Sequence, residues 1–325
     1  MAQVSDSRPQ VLPEPLCTTE TSLATDYIAP SLAASMTAEL EGSGPGPAAG
    51  CGKRILVFGW GAAAESVLLE LSACQAAGQE LQCHCISHTS QADDCDLRLV
   101  CSKLGFTSAL TDSDTEALEM ATAFNPDLII SASYRKKIKK EVLDLTPDCV
   151  NFHPSLLPKH RGCWSGFWTI FEGDAETGVS CHRMVERFDE GKLLHVERLP
   201  VAADDTSASI YKKILPVTAA CARAVLKQYF ADGGRLAEGT VQTGDSSYHY
   251  RKLPFAGLVQ PEWSEEQVER FLRAMHFPPF DGAAMVVKSE DGSGEEKVLI
   301  ESMDQYRELR GRTTASAAAA NGGGS

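Results

Sequence analysis

The feature that most constrains this chain is its alternation of short, continuously apolar runs with longer stretches of helical periodicity. "RILVFGW" (54–60) reads as a buried strand and is followed by "GAAAESVLLELSACQAA", in which Val67, Leu68, Leu71 and Cys74 fall on one helical stripe. "LQCHCIS" (81–87), "DLIISAS" (127–133), "CVNFHPS" (149–155), "VSCHRMV" (179–185) and "LLHVERLPV" (193–201) read as further strands, with helices expected near 93–105, 114–124 and 136–145. Strands that are apolar throughout are covered on both faces, and the helices between them supply the crossovers. The expected fold class is α/β: a mostly parallel, doubly wound sheet with helices on both faces, plus a short C-terminal unit. Ligands in such sheets bind beyond the carboxyl ends of the strands.

Composition sets the outer bounds. Residues 1–50 hold six acidic residues and one basic residue, Arg8, and end in "EGSGPGPAAG", so 1–52 reads as a disordered arm and linker. Residues 53–203 form the expected catalytic domain, 204–245 its helical continuation, 246–303 a short C-terminal unit, and 304–325, ending in "TTASAAAANGGGS", a flexible tail. The net charge of −14 argues against a dedicated nucleic-acid or anionic-membrane surface. No run of about eighteen apolar residues is present, so no membrane span is expected. Eleven cysteines, with neither a CxxC pair nor a secretory signal, suit a reducing compartment, and the expected location is cytoplasmic.

The stretch "VNFHPSLLPKHRG" (150–162) is the most informative. Side chains alternate faces along a strand, so Asn151 and His153 share one face while Phe152 points to the other. Pro154 biases His153 toward an extended backbone. An amide and an imidazole side by side at a strand end can hold a polarised carbonyl oxygen, or can simply satisfy a loop. Farther on, "MVERFDEGKLL" (184–194) places Asp189 and Gly191 in a D-x-G turn between apolar strands. Such a turn is ordinary by itself, but a carboxylate there can complete an Asn, His, Asp set.

Other motifs carry less. Gly59, Gly61 and Ala64 fit G-x-G-x-x-A, yet "CHCISHTS" lacks the acidic residue that a nicotinamide site wants at the end of the second strand. The turn either lets a substrate phosphate approach the helix start or is a tight turn with no ligand. Cys83, Cys85 and His88 lack structural-zinc spacing, "GCWSG" is not a nucleophile elbow, and no metal is expected.

Taken together, "NFHPSLLPKHRG", "GDAETGV" and "FDEGKLL" resemble the folate-dependent formyltransferases, which include methionyl-tRNA, glycinamide ribonucleotide and amino-sugar formyltransferases; the resemblance covers residues 53–285. It implies catalytic roles for Asn151, His153 and Asp189, and 10-formyltetrahydrofolate as donor. It also implies a pterin cleft lined by the 131–138 segment and the loop ahead of Asp189, with Ser133, Tyr134, Arg135, Ile138, Ser155, Met184 and Glu186 as contacts. Val185 departs from the acidic residue often found at that position in relatives. On this reading Asn151 and His153 donate to the oxyanion formed when an amine attacks the formyl carbon. Asp189 orients or charges His153 and accepts the proton, directly or through water.

The acceptor side is assigned to Gly59, Gly61, Arg161 and Trp164, with Trp164 and Trp168 as alternative pocket walls or helix packing. "YHYRK" (248–252) is a substrate loop or an exposed strand end. A helix is expected from Ser264 to Met275, with Ser264 as its cap. Beyond it too few residues follow for a five-stranded RNA-gripping barrel, and from 246 onward nine basic residues face twelve acidic ones. A small amine such as an amino-sugar nucleotide is therefore the expected acceptor and partner. Charged methionyl-tRNA is the alternative, and a non-catalytic folate binder or an NAD(P)-dependent oxidoreductase the remote ones.

Overall fold

The computed structural model describes residues 52–289 and 294–311. The expected arm (residues 1–51 of it) and the tail beyond 311 lie outside them. The order of elements is β1 (Lys53–Gly59), α1 (Gly61–Ala76), β2 (Leu81–Ser87), α2 (Leu97–Lys103), β3 (Thr107–Leu110), α3 (Asp114–Phe124), β4 (Leu128–Ala132), α4 (Lys140–Leu143) and β5 (Cys149–His153). There follow β6 (Arg161–Gly162), α5 (Ser165–Glu172), β7 (Glu176–Arg183), β8 (Leu193–Pro200), α6 (Ser207–Ala231), β9 (Tyr248–His249), α7 (Glu265–Met275), β10 (Ala284–Lys288) and β11 (Glu295–Leu299).

Seven strands form one sheet in the order β3-β2-β1-β4-β5-β7-β8. The pairs from β3 to β5 are parallel, and β5–β7 and β7–β8 are antiparallel. Period-two alternation divides β1 between two cores. Ile55 and Val57 face a cluster built with α1 and α6, including Leu68, Leu71, Cys221 and Leu226. Leu56 and Phe58 face a second cluster with Ala117 and Ala121 of α3 and Val142 of α4. That is why these strands read as apolar without interruption.

The chain leaves β1 toward β2 and β3, then returns to the other side of β1 as β4. Strand order reverses there, and the carboxyl ends of β1 and β4 border the crevice where such sheets bind ligands. Asn151 and His153 end β5, the next strand over.

A third cluster joins Phe167 and Ile170 of α5 to Val268 and Phe271 of α7, with Val287, Ile300, Tyr306 and Leu309. Ser264 caps α7 as the sequence predicts, in a reciprocal pair with Gln267. Residues 303–311 are helical and bury Tyr306 and Leu309. The order therefore runs past 304, where composition placed the start of a tail: two buried side chains outweigh the polarity around them. No helix among the described residues is long and apolar enough to cross a membrane.

Candidate active site

Strand alternation puts Val150 and Phe152 into the α1/α6 core and leaves Asn151 and His153 on the opposite face. The next strand, β7, runs antiparallel to β5 and sets His182 directly opposite Asn151. The hairpin from β7 to β8 brings back Asp189, a buried residue held at φ 56°. Its main chain is tied down by Gln242, whose Nε2 donates to the carbonyls of Asp189 (2.7 Å) and Gly191 (2.8 Å). Gly191 is required for close approach, since an added Cβ would collide with the Arg183 carbonyl oxygen.

Four groups converge on the Asp189 carboxylate, one of them His182 Nε2, 3.3 Å from Oδ1. The Gly162 N–H donates to Oδ2 at 2.8 Å, Asn151 Nδ2 lies 3.4 Å from Oδ1, and His153 Nδ1 lies 3.6 Å from Oδ2. Burial alone would raise the Asp189 pKa. The neighbouring His153 and His182 rings and the Gly162 N–H outweigh it and hold the acid well below the usual carboxylate range.

The two histidines have defined tautomers. His153 Nε2 faces the His160 carbonyl oxygen at 2.8 Å, so Nε2 carries the proton and, in the neutral ring, Nδ1 carries a lone pair toward Asp189. His182 Nδ1 donates to the Arg183 carbonyl at 2.8 Å, leaving its Nε2 to accept from Asn151 Nδ2 at 3.2 Å. One amide hydrogen of Asn151 is thereby anchored. The other is directed at Asp189 Oδ1, a long hydrogen bond of 3.4 Å. Burial pushes the His153 pKa down, against the raising effect of Asp189 and the His160 carbonyl, which favours the neutral ring.

The 131–138 and 184–188 segments meet, with Lys137 Nζ 5.8 Å over the Phe188 ring. Ser133, at φ 55°, and Arg135 are exposed at the end of β4, and the Arg135 guanidinium sits 4.8 Å over Trp60 at the end of β1. Tyr134 stacks on His88 with centroids 4.5 Å apart, and Arg135 N donates to His88 Nε2 at 3.2 Å. Ile138 and Met184 pack on the α3/α4 core, while Glu186 is exposed. These groups lie at the carboxyl ends of β1 and β4 and along the loop after β7.

Ser155 does not belong with them. It is fully buried, and its hydroxyl donates to the Lys159 carbonyl at 2.7 Å, so the side chain serves the turn after β5. Gly59 and Gly61 also have local explanations. A Cβ at Gly59 would clash with Ala64 of the following helix, and Gly61 takes φ 64°. Asp94 lies near this turn, 3.4 Å from where a Cβ at Gly61 would stand, and accepts from Tyr211 at 2.7 Å.

Arg161 pairs with Glu190 at 3.0 Å and donates to Ser246 at 2.8 Å, while its buried Nε has no hydrogen-bond partner among the described residues. Trp164 is 43% exposed at φ 63°, whereas Trp168 stacks on His249 at 4.1 Å. Of the two tryptophans, Trp168 is therefore the packing residue and Trp164 the one open to a ligand. "YHYRK" contributes β9, which pairs with β6 beside Asp189, and Arg251 donates to the Arg135 carbonyl at 2.8 Å. His182 was missed by the sequence reading, although the alternation used for Asn151 also applies to it. His160 and His249 were missed as well, because their meeting depends on a contact spanning 89 residues.

The comparisons with known proteins agree with this geometry. Residues 53–225 match the model of the formyl transferase family. The chain is 38% identical over 261 residues to GDP-perosamine N-formyltransferase of Brucella melitensis, covering 79% of this chain and 95% of that protein. A sugar N-formyltransferase structure from Shewanella sp. superposes with a TM-score of 0.60 at 20% identity, over 77% of this chain and 97% of that one. HypX of Aquifex aeolicus in complex with tetrahydrofolic acid superposes with a TM-score of 0.55 at 21% identity, over 77% of this chain and 37% of that one. With Asn151, His153 and Asp189 gathered at the carboxyl edge of the sheet, the chain belongs to the formyl transferase family.

Proposed function

We propose that the chain transfers a formyl group from 10-formyltetrahydrofolate to the primary amine of an amino-sugar nucleotide. The observation that carries the reading is the imidazole of His153, its Nδ1 3.6 Å from the buried Asp189 carboxylate, beside the Asn151 amide, which makes only a long 3.4 Å hydrogen bond to that carboxylate. That is a proton acceptor, a counter-charge and an oxyanion donor within one site. Family membership supports the folate donor, and the exposed groups at the ends of β1 and β4 suit its ring.

In this reading the amine nitrogen bonds to the formyl carbon and Asn151 donates to the oxygen that becomes negative. Removal of one such donor typically costs about 10²–10³-fold. The amine proton passes to His153 Nδ1, and the imidazolium formed is stabilised by Asp189. The carbon–nitrogen bond to the donor then breaks, and the departing nitrogen takes the proton from His153. This reading divides the roles differently from the sequence expectation. His153 Nε2–H is committed to His160, so His153 serves as the base, and Asp189 holds its charge.

The likeness to a GDP-perosamine enzyme supports a nucleotide-linked amino sugar. Beyond α7 the described strands and helix pack on α5 and α7, forming the protein's own core. The nine cysteines among the described residues are free, which suits a reducing compartment such as the cytoplasm. The test is release of tetrahydrofolate with GDP-perosamine, other amino-sugar nucleotides or charged methionyl-tRNA as acceptor. Turnover with a sugar amine, and none with tRNA, is the expected result. Turnover with tRNA alone contradicts the acceptor, and donor binding without any turnover leaves a folate-binding protein.

A further inference from the structure

Behind the catalytic base lies a second cluster that the mechanism above does not use. His160 is 2% exposed and takes φ 54°, a left-handed conformation that is strained for a side chain of this size. Every polar group it carries is engaged. Its N–H donates to Ser247 Oγ at 2.8 Å, and its carbonyl accepts from His153 Nε2 at 2.8 Å. On the side chain, Nε2 lies 2.7 Å from Asp174 Oδ2 and Nδ1 lies 3.1 Å from His249 Nε2. The charged neighbours are Lys159, 2.8 Å from Asp174 Oδ1, and Glu172, 4.0 Å from His160 Nε2.

One proton arrangement satisfies the chain. Asp174 accepts from His160 Nε2–H, and the Nδ1 lone pair of His160 accepts from His249 Nε2–H. Burial, reinforced by His160, lowers the His249 pKa to about 4, so that ring is neutral at pH 7. Trp168 stacks flat on His249, with ring planes 9° apart. The main chain repeats the clamp: Ser247 N donates to the Pro158 carbonyl, Arg161 N to the Ser247 carbonyl and Cys163 N to the His249 carbonyl. The 246–249 segment is a strap over residues 158–163. Two atoms of the strapped loop reach the catalytic groups, namely the His160 carbonyl at His153 and the Gly162 N–H at Asp189. His160, Glu172 and His249 also offer ligand atoms within 4.8 Å of one another, but a cation there would have to displace the His160 hydrogen bonds to Asp174 or His249.

We propose that His160 is a positioning residue for formyl transfer: clamped between Asp174 and His249, it holds the carbonyl that keeps the His153 proton on Nε2 and the basic lone pair on Nδ1. This rests on the reading of His153 as the base. Without the clamp the loop relaxes from its strained conformation, the carbonyl swings away and His153 samples both tautomers. In the Nδ1–H tautomer His153 donates to Asp189 and has no lone pair for the amine. Loss of a residue that orients a working group typically costs about 10–100-fold.

The test pairs kinetics with nitrogen-15 NMR of the histidine rings in the unliganded protein, the His153 signals being assigned with His153→Gln. In the wild type, Nδ1 of His153 is expected to be unprotonated and Nε2 protonated. In His160→Phe and Asp174→Asn, mixed tautomers are expected, with kcat reduced about 10–100-fold and donor KM within about twofold of wild type. His249→Gln, at the partly exposed end of the chain, supplies a third variant if His160→Phe does not fold. The proposal is overturned if His153 keeps the Nε2–H tautomer in these variants, or if kcat stays within about twofold while the tautomer mixes. Because the tautomer is read without substrate, a wild type that formylates no sugar amine defeats the functional reading separately, and the NMR result still decides this one.

Discussion

At the residue scale, His153 can gain a proton only at Nδ1, because Nε2–H is already bound to the His160 carbonyl. As burial lowers the pKa of this ring, the acidic limb of kcat should lie below the ordinary histidine value of about 6.5. Activity then falls as pH drops through that limb, where the base is protonated. Asp189→Asn removes the charge that favours imidazolium, so the same limb should move to still lower pH; a pH–rate profile of both proteins checks the sign. Asn151→Ala should lower kcat about 10²–10³-fold with little change in the acceptor KM, as expected for a contact made to developing charge. Steady-state kinetics separate the two constants. That Asn151 and His153 share a strand face and that Asp189 sits in a turn after β7 was legible, because strand alternation and a D-x-G turn are local patterns. The proton position on His153 was not legible, since the sequence offered no way to see that the carbonyl of residue 160 curls back beneath the ring.

At the scale of elements, the β7–β8 hairpin fixes Asp189, and Gly191 is its tightest point. Gly191→Ala should destabilise the fold by about 1–3 kcal/mol, the usual cost of forcing a methyl group into filled space, measured as a lower urea midpoint. The collision partner is the Arg183 main chain, which cannot turn aside as a flexible side chain would. Most sheet strands were readable because their apolar runs are continuous. The edge strand β3 was missed: it has only four residues, TSAL, and none is fully buried. The antiparallel turn at β7 was also hidden, since β7 is buried along nearly its whole length and so carries the same apolar signature as its parallel neighbours. β6 and β9 are two residues each, too short for any periodicity, yet they tie the strap to the site.

At the scale of the whole molecule, the C-terminal segments pack on the loop after β5 and on α5 and α7. The 246–251 stretch straps the catalytic loop, and residues 303–311 close the third core over α5 and α7. Ending the chain at residue 302 removes the buried Tyr306 and Leu309. At about 1.5–3 kcal/mol for each large buried side chain, the loss should be about 3–6 kcal/mol as an upper bound, visible as a lower Tm. The order past residue 304 escaped notice because composition reports average polarity, and two well-placed apolar side chains suffice to dock a helix.

The most direct test of the central claim is kcat of Asp189→Asn beside wild type, at saturating 10-formyltetrahydrofolate and GDP-perosamine. Asparagine keeps the size of the side chain and an oxygen for the Gly162 N–H; it removes the charge facing His153 and the acceptor that Asn151 Nδ2 meets at 3.4 Å. The account predicts a fall of about 10²–10⁴-fold, the usual range for impaired acid–base catalysis, with the fold intact. A kcat within about twofold of wild type would contradict it, because His153 would then carry its proton without Asp189.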